Sequence, residues 1–161
     1  MRNFIEFSLG IIIAFSLYSI IGKISFSLSQ LLNFFTLIVL YFAMTRGEIY
    51  GAFMGTICGL IQDAFSLGVF GINGLTKTII GFLAGYVSQK LNVIPLRRNF
   101  LFIFVMISAE IALSSFLYYF ISAEYVNEIT PIVLFQPLST AVIGSLIFLF
   151  LRKARIFSTQ K

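Results

Sequence analysis

No histidine occurs among the 161 residues, cysteine occurs once, and Asp and Glu together number only 6. The first absence removes the commonest metal ligand and general base. A lone thiol, Cys58, excludes an internal disulfide and most cysteine metal sites. Charge of either sign is scarce: 11% of the residues are charged, against about a quarter in a soluble domain, which leaves too few polar groups to cover a surface in water. What fills the sequence instead is apolar, with 59% hydrophobic residues and a mean hydropathy of +1.01. That composition belongs to an integral membrane protein. At roughly 20 residues per span, the chain has room for about six spans and no separate extramembrane domain.

Apolar runs broken by turn and charge signals predict an all-α polytopic membrane bundle of six transmembrane helices in one domain, 1–161. The spans fall at about 4–21, 26–44, 49–65, 75–90, 99–120 and 131–151. Arg2 and the first apolar run resemble a signal peptide, but the run is long and no small-x-small cleavage site follows, so it reads as a retained span. Pro131 stands in the favoured first-turn position of the last span, and Pro137 is expected to kink it. Arg2, Arg46, Lys90, Arg97, Arg98, Arg152, Lys153, Arg155 and Lys161 all fall on one side of such a bundle. The other side has Lys23 with Glu124 and Glu128. The positive-inside rule then puts both termini in the cytoplasm, and Tyr41, Tyr50 and Tyr86 against Tyr118, Tyr119 and Tyr125 form the two aromatic belts. The net charge of +5 reads as topology plus attraction to anionic membrane lipid, not as nucleic-acid binding.

Within the third expected span, Gly51, Gly55, Gly59 and Asp63 recur every fourth residue and share one helix face. The fourth span answers with Lys77, Gly81 and Gly85 at the same spacing. Small residues at that interval let two membrane helices approach closely, so Gly51, Gly55, Gly59, Gly81 and Gly85 are expected to form a packing seam. Between the two spans lies a glycine-rich outer loop holding Gly68, Gly71, Asn73 and Gly74, compact and suited to re-entrant backbone.

Three charges fall inside the membrane. The helical rise puts Asp63 roughly 22 Å, Lys77 roughly 20 Å and Glu110 about 16 Å above the cytoplasmic face. An unpaired charge at such depth costs from a few to more than about 10 kcal/mol, so pairing or protonation is expected. The plainer reading is an Asp63–Lys77 ion pair that fixes the register of spans three and four. The sharper reading joins Asp63, Lys77 and Glu110 in one polar cluster, in which one carboxylate must be neutral, solvated or matched by a partner.

The pattern Tyr50-Gly51, Gly55, Gly59-Leu60-Ile61-Gln62-Asp63, then Leu67-Gly68, Gly71, Gly81 and Gly85, resembles the central signature of the rod shape-determining MreD family. The resemblance implies a non-enzymatic, multi-pass subunit of the bacterial inner membrane, part of the machinery of cell elongation and peptidoglycan synthesis. It implies work beside the single-span protein MreC, linking MreB filaments to the RodA glycosyltransferase and its class B penicillin-binding partner. It also implies a fold similar to the substrate-binding subunits of energy-coupling-factor transporters. Gly51, Gly55, Gly59, Asp63 and Gly68 carry over as family positions; Lys77 and Glu110 rest on the depth argument.

An interaction protein without cofactors is the first reading, because no histidine, phosphate-cradling loop or second carboxylate near Asp63 provides acid–base chemistry. A vitamin-like binding subunit of a membrane transporter is the alternative, since the glycine-rich loop and polar cluster would suit a pocket. Against it, the first span has only Ala14 where such subunits present an Ala-x-x-x-Ala docking face. An intramembrane enzyme built on Asp63, Glu110 and serines is the third.

Overall fold

The computed structural model describes residues 12, 15–16, 19–20, 32–66, 69–91, 95–121 and 131–159, with the side chains of the last helix described over 135–150. Five helices and no strand appear among these residues. The first is α1, Phe34–Arg46, which starts where the Asn33 side chain accepts the Thr36 N–H at 3.2 Å. A single residue, Gly47, joins it to α2, Glu48–Phe65. Gly47 sits at φ +96°, so its conformation calls for glycine, while a Cβ there would meet only the movable end of the Gln89 side chain. Next come α3, Ile72–Lys90, and α4, Leu96–Ile121. Finally, α5, Pro131–Thr159, carries Pro137 inside it.

Consecutive helices run antiparallel, and α1 lies at the centre. One of its faces, Leu37, Leu40 and Ala43, packs on Ile80 and Ala84 of α3, on Phe102, Ile103, Met106 and Ile107 of α4 and on Ala141 of α5. The opposite face, Phe35, Val39 and Phe42, packs on Met54 and Cys58 of α2. A short helix buried on both sides explains why its sequence is apolar all round. In α4 the buried residues are Asn99, Phe102, Ile103, Met106, Ile107 and Glu110, a stripe of three- and four-residue steps. Leu101, Val105, Phe116, Tyr119 and Phe120 of the same helix point outward.

Helix α4 is long and apolar enough to cross a membrane. Both α1 and residues Phe135–Phe150 of α5 are apolar but shorter. Glycines, threonines and inward-facing charges dilute the hydropathy of α2 and α3. Of the first expected span only residues 12, 15–16 and 19–20 are described, and they are helical; residues 26–31 of the second, Gly68, Lys23, Glu124 and Glu128 lie outside the described residues. Several boundaries differ from expectation: α4 starts at Leu96 rather than 99, and α5 runs to Thr159, past the expected end at 151. Leu32 and Asn33 are not helical where an unbroken span was expected from residue 26, because the Asn33 side chain competes for the backbone and caps α1. Helix α3 starts at Ile72 rather than Leu75, because Asp63 supplies acceptors for the amides of its first turn.

Candidate functional site

The α2–α3 pair meets backbone to backbone. A Cβ added to Gly51 would strike the Gly81 carbonyl oxygen, one on Gly55 the Lys77 carbonyl, and one on Gly59 the Asn73 carbonyl with Gly74 Cα at 2.5 Å. From the other side, Gly81 faces the Gly51 carbonyl and Gly85 faces the backbone of Glu48. One antiparallel register therefore accounts for all five seam glycines. Such an approach leaves no room for side chains between the helices and maximises dispersion contact between their backbones. The Thr56 and Thr78 hydroxyls bridge the pair at 2.8 Å: one donates across to the other, which donates to the carbonyl in its own turn, Ala52 for Thr56 or Gly74 for Thr78.

Asp63 ends this seam, but not as an ion pair with Lys77. Its Oδ2 accepts the backbone N–H groups of Gly71 at 3.0 Å and Gly74 at 2.9 Å. Its Oδ1 accepts the Asn73 N–H at 3.1 Å and the Asn73 side-chain amide at 2.9 Å. The carboxylate thus satisfies amides that the first turn of α3 leaves without intrahelical partners, and it sits at the positive end of that helix's dipole. Gly71 stands in the left-handed region at φ +100°, which turns its N–H toward Asp63. The expected Asp63–Lys77 pair is therefore corrected: height along the bundle was similar, but the helix start claimed both carboxylate oxygens. Of the expected loop residues, Gly71, Asn73 and Gly74 converge on Asp63.

Lys77 instead pairs with Glu110 of α4, and both are buried, at 1% and 4% exposure. Glu110 Oε1 receives the Lys77 ammonium, the Thr36 hydroxyl at 3.0 Å and the Asn33 side-chain amide at 3.3 Å. The Asn33 backbone N–H donates in turn to Thr140 Oγ1 of α5 at 3.3 Å. Four helices, α1, α3, α4 and α5, therefore meet at one polar hub in a mostly apolar core. Glu110 Oε2 is buried without a hydrogen-bond partner among the described residues. The three charges expected inside the membrane thus divide into two sites: Asp63 on the α3 start, and Lys77 with Glu110 in the hub.

Sequence reasoning missed Asn33, Thr36 and Thr140. A signal existed for two of them: Asn and Thr three residues apart inside an apolar run match a helix cap. Thr140 gives no such sign, being one of several hydroxyl residues in its helix. No group of three or more His, Cys, Asp or Glu that could hold a metal occurs among the described residues. Cys58 is fully buried between α1 and α2, where it acts as a small apolar filler.

The hub and the capped seam are arrangements that hold helices together, with every named side chain engaged by its neighbours except for one carboxylate oxygen. The family model for rod shape-determining protein MreD matches residues 1–154. No curated protein and no solved structure matches the chain.

Proposed function

The chain belongs to the MreD family of rod shape-determining proteins, and from that premise we propose that it is a multi-pass inner-membrane subunit of the bacterial elongation complex, without an enzymatic role. Its six spans, with both termini cytoplasmic, comprise the five described helices and the first apolar run. The outward-facing apolar side chains of α2 to α5 serve as lipid- and partner-facing surface. MreC-like single-span protein is the direct partner. Through it the subunit couples MreB filaments to a RodA-type glycosyltransferase and a class B penicillin-binding protein.

The observation that carries this reading, beside the family, is the use made of the buried charges. Asp63 accepts four hydrogen bonds from a helix start, and Glu110 gathers three donors from two helices and a cap. Groups so engaged hold a rigid body that can present faces to partners. A transporter-type binding subunit would need an open pocket at the same polar residues, and Lys77, Asp63 and Glu110 are each at most 4% exposed. The test is co-purification of the full chain with its cell's single-span, periplasmic coiled-coil protein, together with depletion. Retention of that partner and rounding of depleted cells are expected. A tightly bound vitamin-like molecule, with normal rods after depletion, would favour the transporter reading instead.

A further inference from the structure

A groove of about 470 Å³ runs between α4 and α5, lined by Leu96, Arg97, Phe100, Leu101, Val142, Ser145 and Leu146. Its walls are apolar in practice, because the one hydroxyl, Ser145 Oγ, is spent on the Val142 carbonyl at 2.9 Å. Arg97 alone brings charge to the groove. It lies in the first turn of α4, is exposed, and has no ion-pair partner among the described residues. Antiparallel packing of α4 and α5 puts the later turns of α5, with Arg152, Lys153 and Arg155 in its sequence, toward the same end of the bundle. Arg97 touches the slot through its aliphatic stem, since the lining is almost wholly apolar, and as an exposed residue in the first turn of α4 it carries its charge beyond that end. Hydrocarbon along the slot with a cation past its end is the two-part chemistry of an anionic lipid.

We propose that this groove binds one anionic phospholipid, with an acyl chain along Phe100, Leu101, Val142 and Leu146 and the headgroup phosphate on Arg97. The proposal rests on the membrane orientation given above, which sets Arg97 at the cytoplasmic leaflet, where anionic lipids attract basic residues. The almost wholly apolar lining suits hydrocarbon, and pockets of a few hundred Å³ hold small amphiphiles well. Charge complementarity then selects phosphate-bearing lipid without a compensating cationic headgroup. A lipid held there would brace the α4–α5 pair.

The experiment is native mass spectrometry of the purified full-length protein, titrated separately with dioleoylphosphatidylglycerol and dioleoylphosphatidylcholine. Wild type is expected to retain phosphatidylglycerol preferentially at one lipid per chain. R97Q should lower that preference about fivefold, the effect of one basic residue near an anionic surface. V142F, which fills the slot at a residue already 45% exposed, should lower retention of both lipids while helix content stays at the wild-type level. Equal retention of the two lipids by wild type, or an undiminished preference in R97Q, overturns the proposal. So does V142F that binds lipid normally but loses a co-purifying single-span protein, since the groove would then hold a protein helix. Failure of the rod-complex reading is detected separately, by cell shape and co-purification.

Discussion

Gly55→Ala probes the seam at its tightest point. The added methyl would meet the Lys77 carbonyl carbon at 2.5 Å and the Thr78 nitrogen at 2.9 Å, besides the Lys77 carbonyl oxygen, and all three are backbone atoms that no rotamer change can move. Ordinary contact begins at 3.4 Å, so α2 and α3 must separate locally by about 1 Å. Overpacking of this kind costs about 1–3 kcal/mol. A 1 Å shift also breaks the 2.8 Å Thr56–Thr78 hydroxyl bridge, a further loss of about 1 kcal/mol. Alanine's better helix propensity returns about 1 kcal/mol. The net expectation is a loss of about 1–3 kcal/mol, or a melting temperature lower by roughly 2–12 °C for a chain of this size. Thermal unfolding of the purified protein in detergent, followed by circular dichroism, measures it. A G55A protein melting at or above wild type would mean that the two backbones do not meet, and the reasoning about the seam would fail.

Asp63→Asn should cost about 2–3 kcal/mol in the same assay, because a neutral amide gives up charge-assisted hydrogen bonds to the α3 start and turns a donor toward N–H groups. Normal stability of D63N would show that the α3 amides find other acceptors. K77M and E110Q should each be destabilised by about 3–5 kcal/mol, since each strands a polar partner in the core, while the K77M/E110Q double variant recovers most of that loss. Strictly additive losses would mean that Lys77 and Glu110 do not interact. Gly47→Ala should lose about 1–3 kcal/mol, because φ +96° with ψ −173° is a region almost only glycine enters, and unchanged melting would rule out the one-residue link.

The seam was legible because its information is periodic. Glycine every fourth residue defines a face, and two such faces in neighbouring helices define a register without any knowledge of side-chain contacts. The hub was only half legible. Helical rise gives height along the bundle, and it put Asp63, Lys77 and Glu110 in the same layer, but it carries no rotational information about which side of each helix faces which neighbour. The pairing was therefore misassigned: Asp63, at the last turn of α2, turns toward the start of α3, and Lys77 reaches across the core to α4. Competition decided it locally, since three backbone amides and a side-chain amide converge on one carboxylate. Asn33 and Thr36 went unread because they interrupt an apolar run that length alone made into a continuous span. The hydropathy pattern measures how apolar a segment is, and glycine and threonine that pack tightly against a neighbouring backbone register as weakly apolar however deeply they are buried.

In the function proposed above, the buried charges serve to hold a shape-determining subunit together. Cell shape in a strain depleted of the wild-type chain and expressing K77M, E110Q or K77M/E110Q at matched membrane levels tests this most directly. The prediction is rounded cells with either single variant and rods with the neutral double. Round cells with a double variant that is stable and still bound to its partner would contradict it, and would give Lys77 or Glu110 a role beyond holding the helices together.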